Sequence, residues 1–320
     1  FTGNPTITGL KDGTYVLKET VAPDGYTVVS EFTFTVKNGI VTENSAVTDG
    51  KVEKSEDGKT ITITDDISEI KIDKQIISNG EAKPAPEAEF ELTIKEGPEN
   101  FADVTIGEKT YDDKTTKIEF TGNPTITGLK DGTYVLKETV APDGYTVVSE
   151  FTFSVENGIV KPLDSETTGN VEISEDGDRI VVKDEMTKAT ISKQELGAGT
   201  ELPDAKLVIT ALDEKADLSK VTAKQGDKEF TFADIEKKNE ISFVSGNEPT
   251  VLSMLPAGMY TLTEVTAPDG YEIAETIKFV IEPDGTIKVA NGEDQNGNTH
   301  YDTVENGIVV MEDKPSEIHV

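Results

Sequence analysis

Short runs in which apolar and polar residues alternate recur along the whole chain. Examples are EFTFTV from Glu31, EFELTI from Glu89 and KLVITAL from Lys206, all rich in β-branched or aromatic residues. Turn sequences such as DG, NG and PDG separate the runs. Because successive side chains of a strand point to opposite faces, this period of two predicts half-buried β-strands. No long segment has the 3.6-residue period of a helix, so an all-β fold is expected.

These runs belong to a tandem repeat. FTGNPTITGLKDGTYVLKETVAPDGYTVVSEFTFTV begins at residue 1 and returns 119 residues later with one change, Thr35 to Ser154, while a divergent third copy begins at Phe243. Several short strands in each repeat predict small β-sandwiches, and the short linkers favour an elongated rod. The expected divisions are a partial first domain at 1–67, a complete second domain at 68–186, a divergent third domain at 187–316 and the start of another repeat at 317–320.

Three strands of the repeat carry an ionisable residue in phase with their apolar residues. A lysine ends the apolar stripe of the first strand, a glutamate follows the tyrosine and leucine of YVLKE, and an aspartate ends the stripe of the last strand. The residues are Lys74 and Lys193, Glu19, Glu138 and Glu264, and Asp65, Asp184 and Asp313. If the apolar phase is buried, these charges enter the core, where an unpaired charge is strongly destabilising.

Three interpretations of these charges are open at this stage. Strand ends are often exposed, so each side chain could simply reach solvent. The three groups could instead form a buried ion-paired triad. In the third interpretation, the desolvated lysine loses its proton and attacks the aspartate carboxyl carbon, while the glutamate transfers protons. That reaction would leave an amide cross-link, and because the groups are held together it would need no cofactor.

Composition excludes several classes of function. The formal net charge of −32 would repel nucleic acid and anionic membranes, so neither is expected as a partner. Cysteine is absent, which removes disulfides, thiolate metal sites and a cysteine nucleophile. No apolar run is as long as a membrane span, and no nucleotide-binding or hydrolase motif occurs, so a turnover enzyme is not expected. Phe1 already lies inside a repeat, and the chain is interpreted as part of a longer protein.

The repeated motifs resemble those of a known family. YVLKETVAPDGY resembles the E-box, YxLxETxAPxGY, of the Cna B-type (SpaA-like, prealbumin-like) domains of Gram-positive surface proteins. The opening segment ISKQELGAGTELPDAKLVI and the closing strands IVVKD, ITITD and VVMED are similar to those of the same family. The resemblance covers essentially the whole chain. It implies a prealbumin-like β-sandwich and, as in many members, a spontaneous Lys–Asn or Lys–Asp isopeptide bond assisted by the E-box glutamate.

Transferred to this chain, the resemblance implies one bond in each complete domain. The third E-box departs from the pattern because it reads TEV in place of ET. The implied lysine, aspartate and glutamate are Lys74, Asp184 and Glu138 in the second domain, and Lys193, Asp313 and Glu264 in the third.

In the first domain, Asp65 would be the acceptor and Glu19 the catalyst, and the lysine would lie upstream of Phe1. That domain is expected to lack its bond in this chain and to be less stable.

The resemblance implies the structural stalk of a bacterial cell-surface adhesin, extracellular and anchored to the cell wall, whose partners are its own neighbouring domains. Two alternatives are kept. One is a ligand-binding adhesin domain for a host or matrix protein or glycan, in which the longer segment between Asp213 and Pro249 would hold the site. The other is a segment of a pilin backbone.

A calcium loop is a weaker possibility. DQNGNTHYDTVE has oxygen donors at calcium-loop spacing, but Thr299 stands where a glycine is wanted. A long polar hairpin is the preferred interpretation, and no metal or other cofactor is expected. The donors are Asp294, Asn296, Asn298, Asp302 and Glu305.

Overall fold

The computed structural model divides the chain into two compact units. Unit 1 comprises Phe1–Lys74, Glu89–Lys137 and Glu150–Val182, and unit 2 comprises Gln75–Ala88, Glu138–Ser149 and Lys183–Val320. The first domain (1–67) therefore lies in unit 1, the third domain (187–316) lies in unit 2, and the second domain (68–186) contributes to both. The residues that the structure describes are 1–47, 50–78, 80–148, 150–163, 170–232, 236–293 and 297–317. Among them, no helix is long and apolar enough to cross a membrane.

The first domain forms two antiparallel sheets, β1-β2-β3 and β4-β5. Phe32, Phe34 and Val36 alternate towards the interior of β2, and Tyr15 and Leu17 of β1 pack against them. The strands are β1 (Gly13–Leu17), β2 (Phe32–Lys37), β3 (Ile40–Asn44), β4 (Lys51–Lys54) and β5 (Ile61–Thr64).

The second domain also forms two sheets, and buried residues alternate with more exposed ones along several of its strands. Its strands are β6 (Glu69–Ser78), β7 (Glu81–Pro84), β8 (Glu89–Glu96), β9 (Thr105–Ile106), β10 (Lys109–Thr110), β11 (Lys117–Thr121), β12 (Thr125–Thr127), β13 (Gly132–Val140), β14 (Phe151–Glu156), β15 (Ile159–Pro162), β16 (Val171–Ile173) and β17 (Arg179–Asp184). One sheet has the order β10-β9-β12-β6-β17-β16, with β7 paired to β6, and the other has the order β11-β8-β13-β14-β15.

The third domain is a complete sandwich within unit 2. Its strands are β18 (Lys188–Glu195), β19 (Lys206–Ala211), β20 (Thr222–Gln225), β21 (Lys228–Thr231), β22 (Glu240–Val244), β23 (Thr250–Ser253), β24 (Gly258–Thr266), β25 (Ile277–Ile281), β26 (Ile287–Glu293), β27 (Thr299–Thr303) and β28 (Ile308–Asp313), and a short 3-10 helix spans Glu305–Gly307. The sheets have the orders β21-β20-β23-β18-β28 and β22-β19-β24-β25-β26-β27.

One hydrophobic core joins these two sheets. Ile191 and Met311 enter it from the first sheet, and Leu207 and Leu262 enter it from the second. The first and last strands, β18 and β28, pair in parallel and bring Lys193 opposite Met311. This pairing places the first and last strands of the domain side by side. The all-β prediction is confirmed.

Two predicted segments continue these sheets. The longer segment between Asp213 and Pro249 contains β20, β21 and β22, and β20 pairs with both β21 and β23. It therefore extends the sandwich, and ligand binding there stays a prediction. The segment predicted as a polar hairpin, residues 294–305, contains β27, which pairs antiparallel with β26. Asp294 and Asn296 of the possible calcium loop lie outside the described residues.

Candidate functional site

The third domain brings its predicted lysine, glutamate and aspartate together. Lys193 extends from β18, Asp313 from the end of β28 in the same sheet, and Glu264 from β24 in the facing sheet. The Lys193 Nζ donates to Asp313 Oδ1 and lies 3.3 Å from Glu264 Oε1. The three side chains are 0–1% exposed, so these strand ends do not reach solvent.

The parity of the strands explains why these charges are inside. Ala189, Ile191 and Lys193 are buried in turn along β18, as are Val309, Met311 and Asp313 along β28. Backbone bonds hold the lysine end of β18 in place, because Lys193 C=O accepts from Leu202 N–H at 2.7 Å. On the facing sheet, Glu264 lies opposite Leu207 of β19. The site is thus built entirely on paired strands.

The two oxygens of Glu264 have different neighbours. Oε2 accepts a 2.7 Å hydrogen bond from the Ala274 backbone N–H, and Oε1 faces the Lys193 amine. Burial raises the pKa of the Glu264 carboxyl, and the nearby Asp313 carboxyl adds to that rise. The Ala274 N–H and the Lys193 amine act in the opposite direction. The net effect favours the protonated acid that proton transfer requires.

The bond from the E-box glutamate to a backbone N–H ten residues later recurs in all three domains. Glu19 Oε2 accepts from Val29 N–H, and Glu138 Oε2 accepts from Val148 N–H, each at 2.7 Å. The bond closes the APDGY loop onto the glutamate. The sequence interpretation missed this role, although the constant ten-residue spacing is visible in the repeats.

The E-box tyrosine also has a repeated local contact. Tyr15, Tyr134 and Tyr260 each donate their hydroxyl to the carbonyl four residues earlier, at 2.6–2.8 Å. The ring of Tyr260 stacks on Phe279 with centroids 5.2 Å apart. The tyrosine thus fixes the start of the strand that carries the glutamate.

In the second domain, the three predicted residues are each buried. Lys74 and Asp184 are fully buried, and Glu138 is 4% exposed. Lys74 belongs to unit 1, and both carboxylates belong to unit 2. Within unit 1, the Lys74 backbone is held by Asn123, whose side chain accepts from its N–H at 3.0 Å and donates to its C=O at 3.3 Å.

In the first domain, the aspartate and the glutamate contact each other. Asp65 and Glu19 share a side-chain hydrogen bond, and both residues are half-buried. Burial, followed by the charge of Glu19, raises the pKa of Asp65. Among the described residues, no lysine forms an ion pair with either carboxyl. This domain thus carries the acceptor and the glutamate of the predicted site.

Metal binding finds no support in the part of the chain that the structure describes. There, no group of three or more His, Asp or Glu residues is placed to hold a metal ion. Asp302 of the possible calcium loop is instead bonded to Asn291 and His300 within the hairpin.

The solved structures that match this chain include two pilus proteins of Lactobacillus rhamnosus GG and one protein of Bacillus anthracis. The C-terminal fragment of the pilus adhesin SpaC from Lactobacillus rhamnosus GG matches at 15% identity, over 79% of this chain and 100% of that chain, with a TM-score of 0.34. The shaft pilin SpaA from the same bacterium matches at 16% identity, over 79% and 99%, with a TM-score of 0.27. The Bacillus anthracis TIE protein matches at 18% identity, over 90% and 41%, with a TM-score of 0.29.

No curated protein matches the chain. The family model of the SpaA prealbumin-like fold domain matches residues 2–51, 65–168 and 187–296, which together make up most of the sequence. The assignment rests on this model, because the structural matches have low identity and low TM-scores. The chain therefore belongs to the SpaA prealbumin-like fold domain family and carries domains of that family in tandem.

Proposed function

We propose that this chain is a structural segment of a bacterial surface protein, a pilus component or an adhesin stalk, whose complete domains are closed by internal isopeptide bonds. The observation that carries the proposal is the buried contact of Lys193 with Asp313 beside Glu264. The family assignment supports a role in a surface structure. The cross-link would be a single-turnover reaction of the chain with itself.

The proposed reaction is a condensation. The uncharged Lys193 amine attacks Cγ of the Asp313 carboxylic acid, forming a C–N bond. Glu264 donates a proton to the departing carboxyl oxygen and takes up the proton that the amine loses. One C–O bond breaks, one water leaves and Glu264 ends in its initial state. The raised pKa of Glu264 supports its role as the acid, and the fixed strands supply the proximity.

Burial favours this reaction over a permanent ion-paired triad. With all three groups ionised, one lysine between two carboxylates would leave a net negative charge in an apolar core, and with Glu264 protonated a desolvated Lys193–Asp313 ion pair would remain. Asp313 Oδ2 is also buried without a hydrogen-bond partner among the described residues. Amide formation removes the charges of Lys193 and Asp313 together, and it expels one of the aspartate oxygens as water. The product is a neutral amide beside a protonated glutamic acid.

Intact-mass measurement of the purified full chain, with peptide mapping, tests the proposal. A Lys193–Asp313 linkage should appear as one joined peptide pair with the loss of one water. We propose the same linkage for Lys74 and Asp184 with Glu138, supported by the burial of each residue and by the motif order. A chain that carries its full calculated mass and yields only linear peptides would contradict both linkages.

A further inference from the structure

The joint between the first and second domains lies within unit 1 and is centred on Ser68. The Ser68 N–H donates to Gly25 C=O of the first domain's APDGY loop at 2.9 Å. Its own C=O accepts from Gly128 N–H of the second domain at 3.0 Å, and its hydroxyl donates to Leu129 C=O at 3.2 Å. Ser68 is fully buried. A single residue therefore links the two loops.

The same bonds recur in unit 2 at the joint that leads into the third domain, where Thr187 replaces Ser68. The Thr187 N–H donates to Gly144 C=O at 3.0 Å, and its C=O accepts from Met254 N–H at 3.1 Å. Its hydroxyl donates to Leu255 C=O at 2.6 Å. The two joints thus share one pattern of donors and acceptors.

Both joints require a close backbone approach. A Cβ added at Gly25 or Gly144 would lie 2.9 Å from the carbonyl oxygen of Gly128 or Met254, respectively. Gly128 and Met254 themselves have left-handed backbones, with φ of +74° and +68°. The incoming domain therefore presents a left-handed residue directly against the glycine of the preceding loop. A side chain on that glycine would clash with backbone atoms.

The corresponding face of the third domain carries the same groups, and among the described residues nothing packs against its Gly270. The Ser316 N–H donates to Gly270 C=O at 2.8 Å, and its hydroxyl donates to the same oxygen at 3.0 Å, as the Thr187 hydroxyl does to Gly144 C=O at 3.1 Å. What differs is that, among the described residues, the Ser316 hydroxyl has no second acceptor equivalent to Leu255 C=O. A Cβ added at Gly270 would meet nothing within 4 Å. Ser316 and Gly270 are exposed. In the second domain, Val147 donates its N–H to Pro283 C=O of the third domain. Ile273 is the equivalent residue of the third domain, and it is 62% exposed.

We propose that this terminal face, formed by Gly270, Ile273 and Ser316, docks a further domain of the same fold. The incoming domain would place a left-handed residue against Gly270 and accept the Ser316 hydroxyl on the carbonyl that follows. A tight turn equivalent to Pro283–Gly285 would cover Ile273. The register of the chain agrees with this occupant, because SEIHV from Ser316 parallels SEIKI from Ser68.

The test extends the full chain, residues 1–320, with a copy of residues 73–186, so that Ser316 takes the place of Ser68. The readout is hydrogen exchange of the Ile273 amide. This amide can be followed in the extended chain because the sequence around Ile273 occurs there only once. Docking should slow exchange at Ile273 by about tenfold relative to the 320-residue chain, as expected for a newly buried hydrogen bond. Size-exclusion chromatography with light scattering is run on both chains.

Gly270→Ala supplies the decisive variant, and Gly292→Ala is its matched control. Both glycines have left-handed φ, +90° and +82°, and neither added Cβ meets anything within 4 Å in this chain. In the extended chain, Gly270→Ala should restore fast exchange at Ile273, whereas Gly292→Ala should not. Equal exchange in the short and extended chains, or equal effects of the two variants, would overturn the proposal. Concentration-dependent dimerisation of the 320-residue chain with protection of Ile273 would assign the face to a second copy and would also overturn it.

Discussion

Glu264→Gln should abolish the Lys193–Asp313 bond while leaving the loop contact in place. A glutamine oxygen can still accept the Ala274 N–H that Glu264 Oε2 accepts at 2.7 Å. A neutral amide cannot donate and recover a carboxyl proton, so the condensation loses its proton shuttle. The purified variant should carry one fewer dehydration than the wild-type chain. Its third domain should also be less stable, because the unfolded chain is no longer constrained.

The size of that loss follows from the length of the closed loop. Lys193 and Asp313 are 120 residues apart, and closing a loop of this length stabilises the folded state by about 5 kcal/mol on the chain-entropy model. For a domain of this size, the loss corresponds to a fall in melting temperature of roughly 15–20 °C. The cross-link would thus supply an amount comparable to the whole stability of many small domains.

Differential scanning calorimetry of the full chain, paired with intact mass, measures both effects. Glu201→Gln is the matched control, since Glu201 accepts the Lys193 backbone N–H at 3.2 Å and is not among the groups in contact with the lysine amine. The control should keep the wild-type mass and lose little stability. A Glu264→Gln chain that still loses the water would refute the proton-shuttle role. A chain that lacks the bond but melts with the wild type would refute the stabilisation worked out above.

Three further predictions concern other parts of the chain. Because the folded-state pKa of Asp65 is raised, the contribution of Asp65 to stability should be greatest below the unfolded carboxyl pKa of about 3.9 and should be lost as pH rises through the folded pKa. Carboxyl NMR titration measures the folded pKa, and a normal value for Asp65 would contradict its contact with Glu19. Tyr260→Phe removes the hydroxyl bond to Pro256 C=O and should cost the third domain about 1 kcal/mol in denaturant unfolding, whereas an unchanged unfolding midpoint would show that this bond contributes nothing net. Leu262→Ala opens a cavity in the core between the two sheets and should cost about 2–5 kcal/mol, with an effect below 1 kcal/mol indicating that the core collapses around the gap.

The alternation of residues predicted strands, and it put the charges of the complete domains in the apolar phase, where the structure buries them. It could do so because side-chain direction in a strand is a local property. The first domain shows the limit. Ile61, Ile63 and Asp65 share a phase, yet Ile63 is 38% exposed and Asp65 is only half-buried. Burial needs a surface on the other side, and within the described residues β5 pairs with β4 alone.

Contacts between distant segments could not be read from periodicity. Nothing local in the sequence shows that β18 and β28 pair in parallel, or that Lys193 lies opposite Met311. The bond from Glu264 to Ala274 depends on the path of an irregular loop, which has no period to detect. The joints centred on Ser68 and Thr187 were missed for the same reason, since both depend on backbone groups.

The bond between the E-box glutamate and its loop affects how such sequences should be surveyed. In the third domain this bond is made by Glu264 Oε2, whereas the lysine amine faces Oε1, so the loop bond and the lysine contact use different oxygens. A domain that had lost its lysine would therefore still need the glutamate to fold its loop, and selection would retain the motif. A genome survey that counts E-boxes would then overestimate the number of cross-linked domains. Under the proposed reaction, the discriminating marker would be a lysine in the apolar phase of the first strand together with an aspartate in the apolar phase of the last strand.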